Sequence, residues 1–321
     1  MTVSGHVHLD DIPGRKVDMG PLCGTWSDVG RAAGSVATGL KRMRIEPGRR
    51  STPAHVHDAE EEIFYVLSGS GLSWQDGTTC AVGAGDCIVH VAGGKAHTLI
   101  AGDDGMDVLA FGTRHPASTA RLPRAGVAWL GSTWVEIGRE PHPWSQELNA
   151  GELEVPEPGD RPANVVSVDS VEEIEVAHGD TDRRQRALGL AGGSRLTGLN
   201  HVLVKYNLLN CPPHVHACEE EIFVILEGDG TMLLFDCDVR PQVPVALENI
   251  QEGDVIVRTA GSGVAHAFQA GVLGMTMLAY GLRRSDETVF YPRSGKIRMR
   301  GLGVTGRLQP CDYWEGEPPV T

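Results

Sequence analysis

The chain has no CxxC pair, and its seven cysteines fall at irregular intervals over 321 residues. A disulfide framework and a zinc ribbon are therefore excluded, and the pattern fits a reducing compartment. Positive charge is scarce: 28 Lys and Arg stand against 42 Asp and Glu, a net charge of -14. Neither a nucleic-acid backbone nor an anionic membrane is an expected partner for such a chain. The opening MTVSGHVHLDDIPG lacks a basic-plus-apolar signal segment, and no run approaches transmembrane length, so the expected location is the cytoplasm. Phosphate loops, Rossmann fingerprints and nucleophile elbows are missing as well. Helix signals are few, whereas 41 Gly and 19 Pro announce many turns.

What is present occurs twice. PAHVHDAEEEIFYVLSGSG runs from Pro53 to Gly71, and PPHVHACEEEIFVILEGDG from Pro212 to Gly230. His55, His57, Glu62 and Gly69 recur as His214, His216, Glu221 and Gly228, each displaced by 159 positions. A later histidine follows a glycine in both copies, as Gly94-x-x-His97 and Gly263-x-x-His266. The motif Gly34-Ser35-x-x-x-Gly39 also returns, as Gly193-Ser194-x-x-x-Gly198. The displacement grows to 168 at Gly85 and Gly253, which locates an insertion around Asp236 to Asn249. Two long units with one internal length change predict two compact domains.

Each unit reads as antiparallel strands. Glu62 to Leu67 and Glu221 to Leu226 are rich in β-branched and aromatic residues, and a glycine closes each run. Residues 20–135 are expected to form the first domain and 181–301 the second. Residues 136–180, rich in proline and acid, read as a linker or domain-spanning arm, and 302–321 as a tail packed over a barrel through Tyr313 and Trp314. His6-x-His8 lacks the glutamate at the matching spacing and the turn context, and reads as terminal surface.

Side chains two apart on a strand share a face, so both histidines of an HxH doublet point the same way. A hairpin can return the carboxylate at the head of the next strand, and a separate strand supplies the distant histidine. His55, His57, Glu62 and His97 thus form one candidate metal set, and His214, His216, Glu221 and His266 the other. Imidazoles plus one carboxylate suit a divalent ion, with Fe(II) or Mn(II) favoured and Ni, Co or Zn as alternatives. Glu60, Glu61, Glu219 and Glu220 read as a solvated charged corner. Cys211 and Cys218 read as packing residues, and Lys296-x-Arg298-x-Arg300 as a strand with one solvated face. The repeated Arg114, Arg124, Arg283 and Arg293 are candidate contacts for a carboxylate substrate.

The doublets, carboxylates, turn glycines and distant histidines resemble the motifs of the cupin superfamily, and more closely its two-domain members, the bicupins. The leading glycine sits early, as Gly48, and is missing from the second copy; the second motif lacks its usual proline and asparagine. The resemblance implies an all-β fold of two tandem double-stranded β-helix (jelly-roll) barrels, each with its metal inside. It also implies a small-molecule substrate, with a homo-oligomer formed through barrel edges as a further expectation. The leading expectation is an oxygenase acting on a carboxylate-, enol- or phenol-bearing substrate. A redox-neutral decarboxylase or isomerase is the enzyme alternative, with Glu60, Glu219 and His90 as positional acid-base candidates. A noncatalytic metal- or ligand-binding module is the third reading. No catalytic residue beyond the metal ligands is identifiable at this level.

Overall fold

A computed structural model describes residues 5–116, 118–130, 133–135, 143–237, 243–309, 311 and 314–316. The expected strands dominate it, and the helices among the described residues are short: Val29–Ala32, Pro143–Asn149 and Leu188–Ala191. No helix among these residues is long and apolar enough to cross a membrane.

Two β-barrels share one plan. In the first, a large sheet runs in the order Val165–Ser167, Asp86–His90, Glu62–Gln75, His97–Thr113, Thr38–Ile45, Leu22–Ser27 and Arg15–Met19, with Thr78–Gly83 also on Glu62–Gln75. A small sheet of Val56–His57, Thr119–Leu122, Val127–Leu130 and Thr133–Val135 faces it. The second barrel repeats both sheets from Glu173–His178 to Val304–Arg307. Its longer hairpin lies between Glu221–Asp236 and Ala246–Gln251, where the sequence placed the insertion.

The barrels exchange their first strands. His6–His8 pairs antiparallel with Asp254–Arg258 of the second barrel, and Val165–Ser167 pairs with Asp86–His90 of the first. His6-x-His8 is therefore a paired strand rather than terminal surface, with His6 Nε2 2.9 Å from Asp254. Within 136–180, Glu173–His178 joins the second barrel through Thr181–Arg186; residues 136–142 lie outside those described. Trp314 is 70% exposed rather than packed, and Tyr313 lies outside the described residues.

The run Glu-Ile-Phe-Tyr-Val-Leu is apolar on both faces because both faces are buried. Phe64 and Val66 enter the core of the first barrel with Met43, Leu99 and Val108. Ile63 and Tyr65 point the other way and pack against Ile222, Val224 and Tyr280 of the second. The shared core between the barrels is closed by Phe111 and Tyr280, whose rings are 5.0 Å apart. Gly69 (φ +80°) and Gly228 (φ +82°) sit at register shifts in the long strands, where a Cβ would meet the carbonyl oxygens of Gly105 and Gly274 at 2.2 and 2.4 Å. Glycine is required there by backbone angle and by space.

The middle glutamate of each triplet explains the repeated Gly-Ser motif. Glu61 crosses to the second barrel, where its carboxylate accepts hydrogen bonds from Ser194 Oγ, Arg195 N (2.8 Å), Thr197 N (3.1 Å) and Thr197 Oγ1. Reciprocally, Glu220 accepts from Val36 N (2.9 Å), Ala37 N (3.1 Å), Thr38 N (2.9 Å) and Thr38 Oγ1 (2.6 Å) of the first. Both carboxylates are buried. The expected solvated corner is instead a pair of inter-barrel clamps: a side chain directed away from its own barrel meets the partner barrel, not water.

Candidate metal centres

Val56–His57 and Val215–His216 are short strands of the small sheets, which turn both doublets inward. Glu62 and Glu221 begin the long strands that follow. The distant histidines are brought in by bridges pairing His55 with His97 and His214 with His266. In the first barrel, Glu62 Oε2 lies 3.0 Å from His97 Nε2, 3.5 Å from His55 Nε2 and 3.8 Å from His57 Nε2. In the second, Glu221 Oε2 lies 3.2 Å from His266 Nε2, 3.3 Å from His216 Nε2 and 3.9 Å from His214 Nε2. All eight sequence-predicted ligands are thus gathered into two sets of four.

Three of the six imidazoles turn Nδ1 to a backbone carbonyl. His55 and His97 place Nδ1 3.0 Å from the carbonyls of Pro53 and Lys95, and His214 Nδ1 is 3.0 Å from that of Pro212. An Nδ1–H donated to a carbonyl leaves the Nε2 lone pair facing the carboxylate. In the second barrel Glu221 Oε2 and the Nε2 atoms of His216 and His266 are buried without hydrogen-bond partners. Orphaned acceptors converging on one point fit a divalent cation, and leaving them unpaired would be costly. The residues therefore fit such an ion.

Electrostatics favour the same state. Burial opposes ionisation of Glu62 and Glu221, but the neighbouring imidazoles outweigh it and hold both carboxyls well below their usual range. Burial lowers His57 to about 4 and His214 to about 3, keeping them neutral at pH 7. His55 and His216 differ: burial opposes their charge, but Glu62 raises His55, and Glu221 and then Glu287, whose Oε1 is 3.3 Å from Nδ1, raise His216 to about 10. The proton of His216 must leave for Nε2 to take a cation. A variant with His55 and His57 both replaced by alanine should release about one proton per ion loaded at pH 7. Its affinity should tighten as pH rises from neutrality toward 10. Calorimetry in buffers of different ionisation heat measures both, and a pH-independent affinity would contradict the assignment.

Each set opens on a cavity. The first, about 500 Å³, is lined by Trp26, Trp129 and Trp144 together with His55, His57 and Glu62. The second, about 360 Å³, is lined by Arg183, Arg298, Arg300, Asn200 and Tyr291 with His214, His216 and Glu221.

Comparisons with known proteins agree with the fold. A Cupin domain model matches residues 41–111. The Bacillus subtilis oxalate decarboxylase at pH 4.6 superposes with a TM-score of 0.57 at 17% identity, covering 87% of this chain and 76% of that one. Both barrels are included in a match of that extent. The chain has the tandem two-barrel fold of the bicupins, with a cupin domain in its first half. Another structure of the same enzyme, concerned with its Mn(II) centres, covers 87% of this chain and 77% of that one at 16% identity and a TM-score of 0.57. The oxalate-binding protein of Thermotoga maritima is 34% identical over 58 residues, 18% of this chain and 46% of that protein. The chain thus matches about half the length of this curated relative.

Other expected site residues have structural partners. Arg124 donates to Glu147 (2.9 Å) and to the carbonyls of Gly151 and Glu152; Arg293 pairs with Asp180 at 2.6 Å. Arg283 lies against Gly198. Arg114 donates to the Ser35 carbonyl at 2.6 Å and borders a smaller cavity beside Glu60 and Glu62. His90 stacks on His97 at 3.6 Å. Glu219 is held by Arg300 and the Arg284 amide, and Glu60 by the His115 amide and the Ser118 hydroxyl. Cys211 Sγ is 3.4 Å from Nδ1 of His214, on the side away from Glu221. The sequence reading missed Arg183 and Arg298 as cavity residues. Strand alternation groups Arg298 and Arg300, but only the barrel shows that their face borders the second cavity.

Proposed function

We propose that the protein is a metal-dependent bicupin, a redox-neutral enzyme that removes carbon dioxide from a small dicarboxylic acid in its second barrel. The observation that carries this reading is the charge of that cavity: Arg183, Arg298 and Arg300 line it with Glu221, and while Arg300 is paired with Glu219, neither Arg183 nor Arg298 has a carboxylate partner among the described residues. A compact dianion is the ligand such a cavity attracts. A bound divalent ion, Mn(II) favoured, would supply Lewis-acid polarisation of the acid. His214, His216, Glu221 and His266 would hold that ion.

The protein's own groups bind and orient the acid. Arg183 reaches the cavity with Nη1 bonded to the Asn210 carbonyl at 2.6 Å, while its Nε is buried and unpaired. Arg298 stands at the mouth beside Arg300. Tyr291 stacks on His214, the ring centroids 5.9 Å apart, and burial raises its phenol so that Oη keeps its proton. In the net reaction the bond between the two carboxyl carbons breaks, one carbon leaves as carbon dioxide, and the other keeps the electron pair and takes up a proton. Tyr291, which lines the cavity, would deliver it from Oη.

Oxygenation leads the expectations from sequence; the likeness to a decarboxylase and to an oxalate-binding protein supports the redox-neutral alternative instead. Oxalate is accordingly the first acid to test. The Mn(II)-loaded protein should release one carbon dioxide per oxalate consumed, without net oxygen uptake. Arg298→Ala should raise KM about tenfold, the cost of one charge-assisted contact. Oxygen consumed in proportion to substrate would return the assignment to the oxygenase. Tight binding of oxalate without turnover would make the chain a binding protein.

A further inference from the structure

The two cavities descend from one repeat, and equivalent positions have diverged in chemistry. Trp129 pairs with Ala120 as Arg298 pairs with Val289, so an indole in the first barrel stands where the second has a guanidinium. Trp26 pairs with Met43 as Gln185 pairs with Val202. Leu122 and Tyr291 are related by the same repeat. Metal-ligand types are retained throughout, whereas the walls differ: two indoles of the first barrel stand where the second has Arg298 and Gln185, and Leu122 stands where the second has Tyr291.

Trp144 has another origin. It is carried by Pro143–Asn149, a helix between the barrels, and its ring meets Trp26 edge-on at 6.3 Å and 64°. The helix is anchored by Glu147, which is fully buried and accepts from Arg50 (3.1 Å) and Arg124 (2.9 Å). Two indoles thus form a fixed corner, with the third also lining the cavity. The charged groups around them balance: Arg15 and Lys41 against Asp28 and Glu62. A compact dianion finds no excess of positive charge here, and a flat ring finds both edge and face contacts.

We propose that the first barrel is a separate binding site for a planar aromatic monocarboxylic acid, its ring against the Trp26–Trp144 corner and Trp129, and its carboxylate toward Lys41 and the metal set. The site is independent of the reaction assigned to the second barrel. The chain therefore handles two classes of acid, one in each barrel.

The test uses the full-length, metal-loaded protein with benzoate, cyclohexanecarboxylate and oxalate as probes, read by calorimetry and tryptophan fluorescence. Benzoate should bind once per chain, change the fluorescence and bind about tenfold more tightly than cyclohexanecarboxylate, since aromatic contacts exceed their area term by about one factor of ten. Trp129→Ala should weaken benzoate about tenfold, Trp129→Phe should restore most of it, and oxalate binding should not change in either variant. Failure of benzoate to bind, equal affinity for the two ring acids, displacement of benzoate by oxalate, or indifference to both Trp129→Ala and Trp26→Leu would overturn the proposal. Loss of oxalate turnover with benzoate binding intact would count against the decarboxylase reading alone.

Discussion

Glu221→Ala is expected to lower turnover at least about 10³-fold while the barrels remain folded. Glu221 Oε2 is the point on which three Nε2 atoms converge, at 3.2 to 3.9 Å. Without it the second centre keeps its three imidazoles but loses the one carboxylate on which their Nε2 atoms converge. Lewis-acid stabilisation is worth several kcal/mol, and about 4 kcal/mol corresponds to roughly 10³ in rate. Glu62→Ala removes the matching group from the first barrel and should leave turnover of the small dianion within about threefold of the parent, as expected for distant, independent sites. Steady-state kinetics of both variants measure the contrast. Equal loss in the two would place the reaction in both barrels, and loss in Glu62→Ala alone would move it to the first.

The second large effect is on stability. Glu61→Ala should cost about 3–5 kcal/mol, because it leaves buried donors on Ser194, Arg195 and Thr197 without their shared acceptor. Glu220→Ala should cost a similar amount by orphaning Val36, Ala37 and Thr38. Denaturant unfolding of the metal-free variants checks both values, and a loss below about 1 kcal/mol would show that water replaces the clamp readily. These carboxylates belong to the triplets that also contain Glu62 and Glu221. Fixing the relative position of the barrels and closing a metal centre are therefore tasks of adjacent residues on opposite faces of one strand.

That opposition marks where sequence reasoning reached and where it stopped. The period of two placed Glu62, Phe64 and Val66 on one face, and the doublets on another strand, so the grouping of the eight candidate ligands was legible in the sequence. The same rule sends Glu61, Ile63 and Tyr65 to the reverse face. Whether that face meets water or a second barrel is a tertiary fact, and periodicity does not carry it. Exchange of His6–His8 and Val165–Ser167 was hidden because each is only three residues long and pairs across the domain division. The differing cavity walls were hidden for a related reason: Trp129 and Arg298 are ordinary strand residues until the small sheet folds over the metal set. Trp144 reaches the cavity from between the repeats, where no internal alignment could find it.

The central claim is that both barrels hold complete His₃–Glu centres. Metal content after reconstitution and removal of loosely held ions tests it most directly, in the parent protein and in two double variants, His55→Ala with His57→Ala and His214→Ala with His216→Ala. Elemental analysis should give about two ions per chain in the parent and about one in each double variant. Unchanged metal content in the variants would contradict the ligand assignment.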